Sequence, residues 1–129
     1  MSGRSALAVL GSDLLLDTDV CIDHLRGSQA LSRATEDASY SLITRCELFS
    51  GHAADEDRVR RFLDALNEIG LDRDLAEQAG RLRRGLSMRT PDAIIAATAI
   101  THELTLVTRN RRDFERVRGL RLRDPADII

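Results

Sequence analysis

The regular pattern of the chain begins with a short run of leucines, followed by a polar turn and a short amphipathic stretch. Leu14 to Leu16 are consecutive apolar residues, which is typical of a short buried strand. Apolar positions within residues 18–27 follow helical spacing, and Gly27 is a residue type at which helices commonly end. A second strand is predicted at Ser39 to Ile43, with a helix over residues 45–53 after it. The pattern therefore predicts two successive strand–helix units.

The second half of the chain continues this alternation with longer helices. Three- and four-residue spacing of apolar residues predicts helices over residues 55–69 and 74–86. Residues 92–103 are apolar on nearly every side, which predicts a buried helix. Residues 104–107 read as a buried strand, and residues 120–123 alternate as an edge strand does. Together the elements predict an α/β fold with a short central parallel sheet of four to five strands flanked by helices.

The length of the chain and its cysteine content limit the class of protein further. A chain of 129 residues fits one domain, which we place at residues 13–129 after a flexible extension of residues 1–12. The two cysteines provide neither a disulfide framework nor the paired ligands of a zinc finger. No apolar stretch approaches the ~20 residues that a transmembrane helix needs. We therefore expect a cytoplasmic protein with no membrane partner.

All 19 basic side chains are arginines, and they nearly balance 21 acidic ones. Without lysine the chain cannot use a Schiff-base lysine, a phosphate-loop lysine or a lysine general base. Residues 1–80 contain 8 arginines and 15 acids, whereas residues 81–129 contain 11 arginines and 6 acids. This division favours a site where acids bind a metal and arginines bind a polyanion. Helix faces that pair with each other remain the alternative.

Acidic residues follow the predicted strands at the points where those strands end. Asp17 and Asp19 follow the first strand, Glu47 follows the second, and Asp113 follows the strand at 104–107. Asp92 opens the buried helix. The carboxyl ends of parallel strands meet at one edge of a sheet, where ligands bind. Clustered carboxylates repel each other and need a cation, and hard oxygen ligands suit Mg²⁺ or Mn²⁺. Such a centre suits phosphodiester hydrolysis.

Each acid also has a structural interpretation. Glu47 is the fourth residue of a stretch that begins at Thr44 and matches a capping box. Asp92 would be stabilised by the dipole at the start of a helix, and Asp113 could pair with neighbouring arginines. Asp17 has no obvious structural use directly after three leucines. The joint pattern outweighs these separate interpretations, because independent capping would not bring four acids to one edge of a sheet.

Four segments of the chain resemble the PIN-domain ribonucleases, and among these the VapC-type toxins of bacterial toxin–antitoxin pairs. They are Leu14–Val20 (LLLDTDV), Ser41–Leu48 (SLITRCEL), Thr90–Ala99 (TPDAIIAATA) and Leu104–Phe114 (LTLVTRNRRDF). The resemblance runs from about Leu14 to the C-terminus. It implies a PIN-like fold, Mg²⁺ or Mn²⁺ as cofactor, and endonucleolytic cleavage of RNA. It also implies a type II toxin that forms a homodimer and binds a cognate antitoxin.

The resemblance also implies roles for individual residues. Asp17, Glu47 and Asp92 match the three core metal-site acids, and Asp113 matches a fourth. The accessory residues are Thr18, Asp19, Thr108 and Asn110. Two positions depart from the family pattern, because Asp19 stands where Asn or Ser is usual and Asn110 where many relatives have Asp. The fourth ligand is therefore either Asp113, which we favour, or Asp19.

Six arginines flank the Asp92 and Asp113 segments and are candidates for contacts with the RNA backbone. They are Arg83, Arg84, Arg89, Arg109, Arg111 and Arg112. Aromatic residues make up 3% of the chain, so base stacking is expected to contribute little to RNA binding.

Two other functions fit parts of the sequence. Asp17 and Asp19 after an apolar strand also resemble the first motif of haloacid-dehalogenase-type phosphatases. That chemistry usually needs a lysine, which this chain lacks. A catalytically idle PIN-like domain that only binds partners is the other alternative, and the complete set of three core acids argues against it.

Overall fold

A computed structural model describes residues 10–31, 33–51 and 55–128 of the chain. The strands are β1 (Leu14–Leu16), β2 (Ser39–Ser41), β3 (Asn67–Ile69), β4 (Thr105–Val107) and β5 (Leu122–Arg123). The helices are α1 (Thr18–Arg26), α2 (Leu42–Phe49), α3 (Glu56–Asp64), α4 (Arg73–Leu86), α5 (Thr90–Thr101) and α6 (Arg111–Phe114). Short 3₁₀ turns lie at Gly11–Asp13, Arg33–Thr35 and Pro125–Asp127. None of the helices in the described residues combines the length and the apolar composition that a membrane-spanning helix requires.

The strands form a parallel sheet in the order β3-β2-β1-β4-β5. Leu15, in the middle of β1, lies opposite Ser39 of β2 and Leu106 of β4. The predicted α/β fold with a short parallel sheet is confirmed, and β5 lies at an edge as expected. Since the strands are parallel, the residues that follow β1, β2 and β4 emerge at one edge of the sheet.

The central strand β1 is buried from both sides, which explains its three consecutive leucines. Leu15 belongs to a core cluster with the buried residues of α4 and α5, including Ile95. Leu14 and Leu16 belong to a second cluster, on the face covered by α1 and α3, which includes Leu63. Helix α5 is buried from residue 93 to residue 99, as its apolar composition predicts. The two helical layers therefore hold β1 rigidly between them.

Local signals at both ends of α1 determine where that helix starts and stops. Asp17 is the N-terminal capping residue, and its side chain accepts a hydrogen bond from the backbone N–H of Thr18. Gly27 ends the helix with a positive φ of 76°, and its N–H donates to the carbonyls of Asp23 and His24. The first predicted strand–helix unit is therefore confirmed. The expectation that Asp17 has no structural use is wrong, because its side chain caps α1.

The predicted helix over residues 55–69 is wrong in its last turn. Helix α3 ends at Asp64, and residues 67–69 form β3 instead. The apolar spacing of Leu66 and Ile69 is compatible with either structure. Pairing with β2, where Ser41 lies opposite Ile69, decides in favour of a strand.

The boundary between β2 and α2 also differs from the prediction. The strand ends at Ser41, whose side chain accepts a hydrogen bond from the backbone N–H of Ile43 and caps α2. The helix therefore begins at Leu42 rather than near residue 45. Thr44 is inside the first turn and is not the capping residue, so the capping-box interpretation of Glu47 is wrong.

The proposed N-terminal extension, residues 1–12, falls largely on residues 1–9, which lie outside the described part. Leu10 is 38% exposed, and Gly11–Asp13 form a 3₁₀ turn that leads into β1.

Candidate metal centre

The Asp17 carboxylate lies at the C-terminal end of β1 and is only 4% exposed. Its Oδ1 atom accepts a hydrogen bond from the backbone N–H of Thr18 at 2.8 Å, and its Oδ2 atom accepts one from the Thr108 hydroxyl at 2.7 Å. Burial, and then the charge of Asp19, raise the pKa of Asp17 from 3.8 to about 7. A nearby cation would favour the ionised form of this carboxylate.

Thr18 links the Asp17 carboxylate to the Glu47 carboxylate across two helices. Its hydroxyl lies 2.7 Å from Oε1 of Glu47 and 2.9 Å from the hydroxyl of Thr44, which is fully buried. An ionised carboxylate can only accept, so the single hydroxyl hydrogen of Thr18 is donated to Glu47. Thr44 must then donate to Thr18. Two threonine hydroxyls therefore form a directed chain that holds the Glu47 side chain in place.

The Asp19 carboxylate is partly buried and is incompletely paired. Its Oδ1 atom is buried and has no hydrogen-bond partner in the described part of the chain. Burial raises the pKa of Asp19 above its usual value, and the neighbouring Asp17 carboxyl and then the charge of Arg109 oppose that rise. The Arg109 guanidinium lies 4.0 Å from Oδ2 of Asp19 and forms a closer ion pair with Asp23, at 2.5 Å. Asp19 is thus a carboxylate with one oxygen available to a ligand.

Asp92 lies in the first turn of α5 and is half-buried. Burial is the largest effect that raises its pKa, and the charges of Asp113, Glu47 and Asp19 add to the rise. The charge of Arg89 acts in the opposite direction. Carboxylates from four segments of the chain therefore act electrostatically on one another, as their predicted positions at one sheet edge require.

Asn110 and Asp113 follow β4, at the end of the strand where the predicted site lies. Asp113 lies in the first turn of α6 and is exposed. Asn110 precedes α6, and its backbone N–H donates to the Thr108 hydroxyl at 2.9 Å. Thr108 is only 2% exposed, so its hydroxyl is oriented by Asn110 toward Asp17. The backbone of Asn110 therefore supports the site, whereas its side chain caps nothing.

The donor set fits a hard divalent cation such as Mg²⁺ or Mn²⁺. The converging groups are carboxylates, one of which has an unpartnered buried oxygen. Burial is the largest cause of the raised pKa values of Asp17, Asp19 and Asp92, although the charge of Arg109 lowers the pKa of Asp19 and that of Arg89 lowers the pKa of Asp92. Among residues 10–31, 33–51 and 55–128, no three His, Cys, Asp or Glu side chains are already arranged closely enough to enclose a metal ion. Mg²⁺ commonly keeps several of its waters and uses few protein ligands, so an open carboxylate set suits it.

The six predicted RNA-contacting arginines occupy different environments. Arg109 is paired with Asp23, and Arg83 donates to the carbonyl of Met88 at 3.1 Å. Arg89 lies next to Asp92 and precedes α5. The others are exposed on α4 and α6 and are Arg84, Arg111 and Arg112.

The sequence does not identify two residues of the site, Thr44 and Asp23, although the spacing of each from a predicted acid is a signal. Thr44 and Glu47 are three residues apart on α2, so their side chains share a helix face. Asp19 and Asp23 are four residues apart on α1, which lets one arginine approach both. In each case the spacing indicates the shared face, and only the fold identifies the partner that faces it.

Comparison with known proteins identifies the family. The model of the PIN domain family matches residues 14–120. Ribonuclease VapC19 of Mycobacterium tuberculosis is 33% identical over 113 residues, which cover 78% of this chain and 90% of that protein. The tRNA(fMet)-specific endonuclease VapC of Salmonella typhimurium is 32% identical over 128 residues, which cover 85% of this chain and 96% of that protein.

Solved structures agree with the sequence relatives. A toxin–antitoxin complex from Klebsiella pneumoniae contains a chain that is 37% identical, with a TM-score of 0.75, over 87% of this chain and 97% of the other. DNA-bound VapBC from Salmonella typhimurium contains one that is 29% identical, with a TM-score of 0.77, over 88% and 98% of the two chains. These matches decide against the phosphatase alternative. From its sequence, fold and relatives, the chain belongs to the PIN domain family, in the group of VapC-type proteins.

Proposed function

We propose that this chain is the toxin of a type II toxin–antitoxin system and acts as a Mg²⁺- or Mn²⁺-dependent endoribonuclease. The observation that carries the proposal is the buried Asp17 carboxylate, held by two hydrogen bonds beside the unpartnered oxygen of Asp19. A carboxylate as deeply buried as that of Asp17 is costly to the fold when it is ionised, so its presence at the sheet edge where ligands bind favours a functional role.

RNA is the substrate class that the relatives support. Two relatives of this chain are named as a ribonuclease and as an endonuclease specific for tRNA(fMet). The basic C-terminal part of the chain, residues 81–129, supplies arginines suited to a phosphate backbone. We therefore propose that the site cleaves a phosphodiester bond of a structured RNA.

The carboxylates of Asp17, Glu47 and Asp92 would hold the divalent cation, with Asp113 or Asp19 as a fourth ligand. A bound cation of this type lowers the pKa of a water molecule and stabilises negative charge on the phosphate. Of the two candidates for the fourth ligand, Asp19 has the unpartnered buried oxygen, whereas Asp113 is exposed. Both act electrostatically on Asp92.

The chain's threonines would orient these carboxylates. The Thr108 hydroxyl and the Thr18 backbone N–H each hold one oxygen of Asp17, and the Thr18 hydroxyl holds one oxygen of Glu47. Partners of this kind limit the rotation of the ligand side chains, which favours metal affinity. We assign Thr18, Thr44 and Thr108 to this positioning role.

We also propose a cognate antitoxin as partner, because related chains were solved within toxin–antitoxin complexes. Homodimer formation and a cytoplasmic location, where structured RNA is found, belong to the same proposal. Co-purification with the product of an adjacent small reading frame would test the antitoxin.

The decisive experiment measures cleavage of initiator tRNA and of a matched elongator tRNA by the purified protein, in Mg²⁺, in Mn²⁺ and in EDTA. We expect cleavage with a divalent cation, and loss of cleavage in EDTA and in Asp17→Asn. Asp13→Asn is the matched control, because Asp13 is an exposed aspartate that precedes β1 and lies outside the site.

Two results would contradict the proposal. Cleavage that persists in both EDTA and Asp17→Asn would exclude the metal mechanism. Intact RNA under all conditions, together with retention of an antitoxin, would instead favour the idle binding domain.

A further inference from the structure

A cavity of about 110 Å³ opens beside the candidate metal centre, between the start of α5 and the segment after α6. Its lining includes two carboxylates of the site, Asp92 and Asp113, and two guanidinium groups, Arg89 and Arg116. Ser87 and Met88 complete the lining. Arg116 is not among the six arginines that sequence reasoning selected.

The wall formed by the loop between α4 and α5 is held in place from two sides. Arg83 donates from Nε to the carbonyl of Met88 at 3.1 Å, and Arg116 donates from Nη2 to the carbonyl of Leu86 at 2.9 Å. Ser87 ends α4 in the left-handed conformation, with a φ of 56°, and its N–H donates to the carbonyl of Arg83 at 2.8 Å. The cavity is therefore preformed, and Arg116 is anchored at its edge.

The opposite charges around this cavity do not pair with one another. In the described part of the chain, neither Arg89 nor Arg116 forms an ion pair with Asp92 or Asp113, although all four line the same space. Elsewhere on the surface arginines do pair with carboxylates, as Arg60 does with Glu56 and Asp57 on α3. A ligand that brings both a cation and an anion would satisfy the two sets of charges.

We propose that this cavity is a subsite for a phosphate of the RNA backbone, in which Arg89 and Arg116 bind phosphate oxygens next to the metal-holding Asp92. The subsite rests on the proposed nuclease function and deepens it. Guanidinium groups offer several N–H donors in a planar array that matches phosphate geometry. A cavity of this size suits one phosphate group rather than a nucleobase with its sugar.

The charge balance of the cavity makes phosphate binding dependent on the cation. Two arginines and two aspartates cancel, so the cavity alone attracts an anion weakly. A divalent cation at the carboxylates leaves a net positive charge, and phosphate binding should then tighten. The reciprocal effect follows from linkage, because phosphate must tighten binding of the cation by the same factor.

Inorganic phosphate is the probe, and its binding to the full chain is followed by ³¹P NMR titration with and without Mg²⁺. We expect saturable binding in Mg²⁺ that weakens without it. We expect Arg89→Gln and Arg116→Gln each to weaken binding about tenfold, as the loss of a charged hydrogen bond predicts. Arg118→Gln is the matched control, because Arg118 is exposed on the same segment as Arg116 but does not line the cavity.

Unchanged binding in Arg89→Gln would overturn the subsite, and so would an equal loss in Arg118→Gln. Arg89→Gln decides the matter if Arg116→Gln is unstable, since the Arg89 side chain makes no hydrogen bond to a described residue that the substitution would break. RNA cleavage assayed in parallel separates the two proposals. If the protein cleaves RNA but binds phosphate equally well without either arginine, only the subsite is refuted. If phosphate binding depends on the arginines but no RNA is cleaved, the nuclease function is refuted.

Discussion

Replacing Asp17 with asparagine is expected to stabilise the metal-free protein at neutral and alkaline pH. The Asp17 carboxylate is only 4% exposed, and burial raises its pKa from 3.8 to about 7. An acid with a higher pKa in the folded protein keeps its proton longer in the fold than in the unfolded chain. The free energy of unfolding therefore falls as pH rises from about 4 to about 7, and it levels off above that range.

The size of the effect follows from this rise in pKa. At about 1.4 kcal/mol per pH unit, ionisation of Asp17 costs the folded protein about 4 kcal/mol at pH 8. Asparagine removes that cost but cannot accept the Thr108 hydrogen bond at its nitrogen, a loss of about 1 kcal/mol. We expect Asp17→Asn to be about 3 kcal/mol more stable than the natural protein at pH 8. At pH 5 the two should differ by less than about 1 kcal/mol.

Urea unfolding in EDTA at a series of pH values between 5 and 8 measures this difference. Asp13→Asn is the control, because this aspartate is exposed and its replacement should change stability by less than about 0.5 kcal/mol. Mg²⁺ should stabilise the natural protein and leave Asp17→Asn unchanged, since ligand binding stabilises only a protein that binds it. A stability difference that does not vary with pH, or a less stable Asp17→Asn at pH 8, would refute the burial argument.

Two further predictions concern the hydroxyl chain and the glycines. Thr44→Val keeps the shape of a fully buried side chain but leaves the Thr18 hydroxyl without its donor, so the Mg²⁺ concentration for half-maximal RNA cleavage should rise about tenfold. Thr44→Ser keeps the hydroxyl and should restore the original Mg²⁺ concentration. Equal behaviour of the two variants would show that the hydroxyl does not position Glu47. Gly27→Ala should lower the free energy of unfolding by about 1 kcal/mol because φ is 76° there, whereas Gly80→Ala inside α4 meets nothing within 4 Å and should raise it by about 0.5–1 kcal/mol. Urea unfolding of both glycine variants checks the opposite signs, and the same sign for both would contradict the backbone argument.

Much of the fold follows from local patterns that the sequence displays directly. The three leucines of β1, the glycine stop of α1 and the apolar α5 were all predicted, because each depends on residues close in the chain. The strand β3 was not predicted, since two of its three residues are exposed and its apolar spacing also fits a helix. The start of α2 was misplaced because Ser41, inside the predicted strand, is the capping residue.

The candidate site was also predictable from the sequence only in part. The convergence of the acids after β1, β2 and β4 and at the start of α5 could be inferred, because parallel strands bring their carboxyl ends to one edge. The roles of single side chains could not be inferred. The ion pair of Arg109 with Asp23 and the place of Arg116 in the lining of the cavity beside Asp92 both depend on the fold.

Sequence patterns specify which residue types follow each strand and where most helices begin and end, because those features depend on interactions within a few residues. Tertiary structure alone brings the Thr108 hydroxyl to Asp17, 91 residues earlier in the chain, and the Thr18 hydroxyl to Glu47, 29 residues later. The same packing buries Asp17 and raises its pKa to about 7. Burial and long-range hydrogen bonds depend on the order of strands in the sheet, so the acids proposed to hold the metal come together only because β1 lies between β2 and β4.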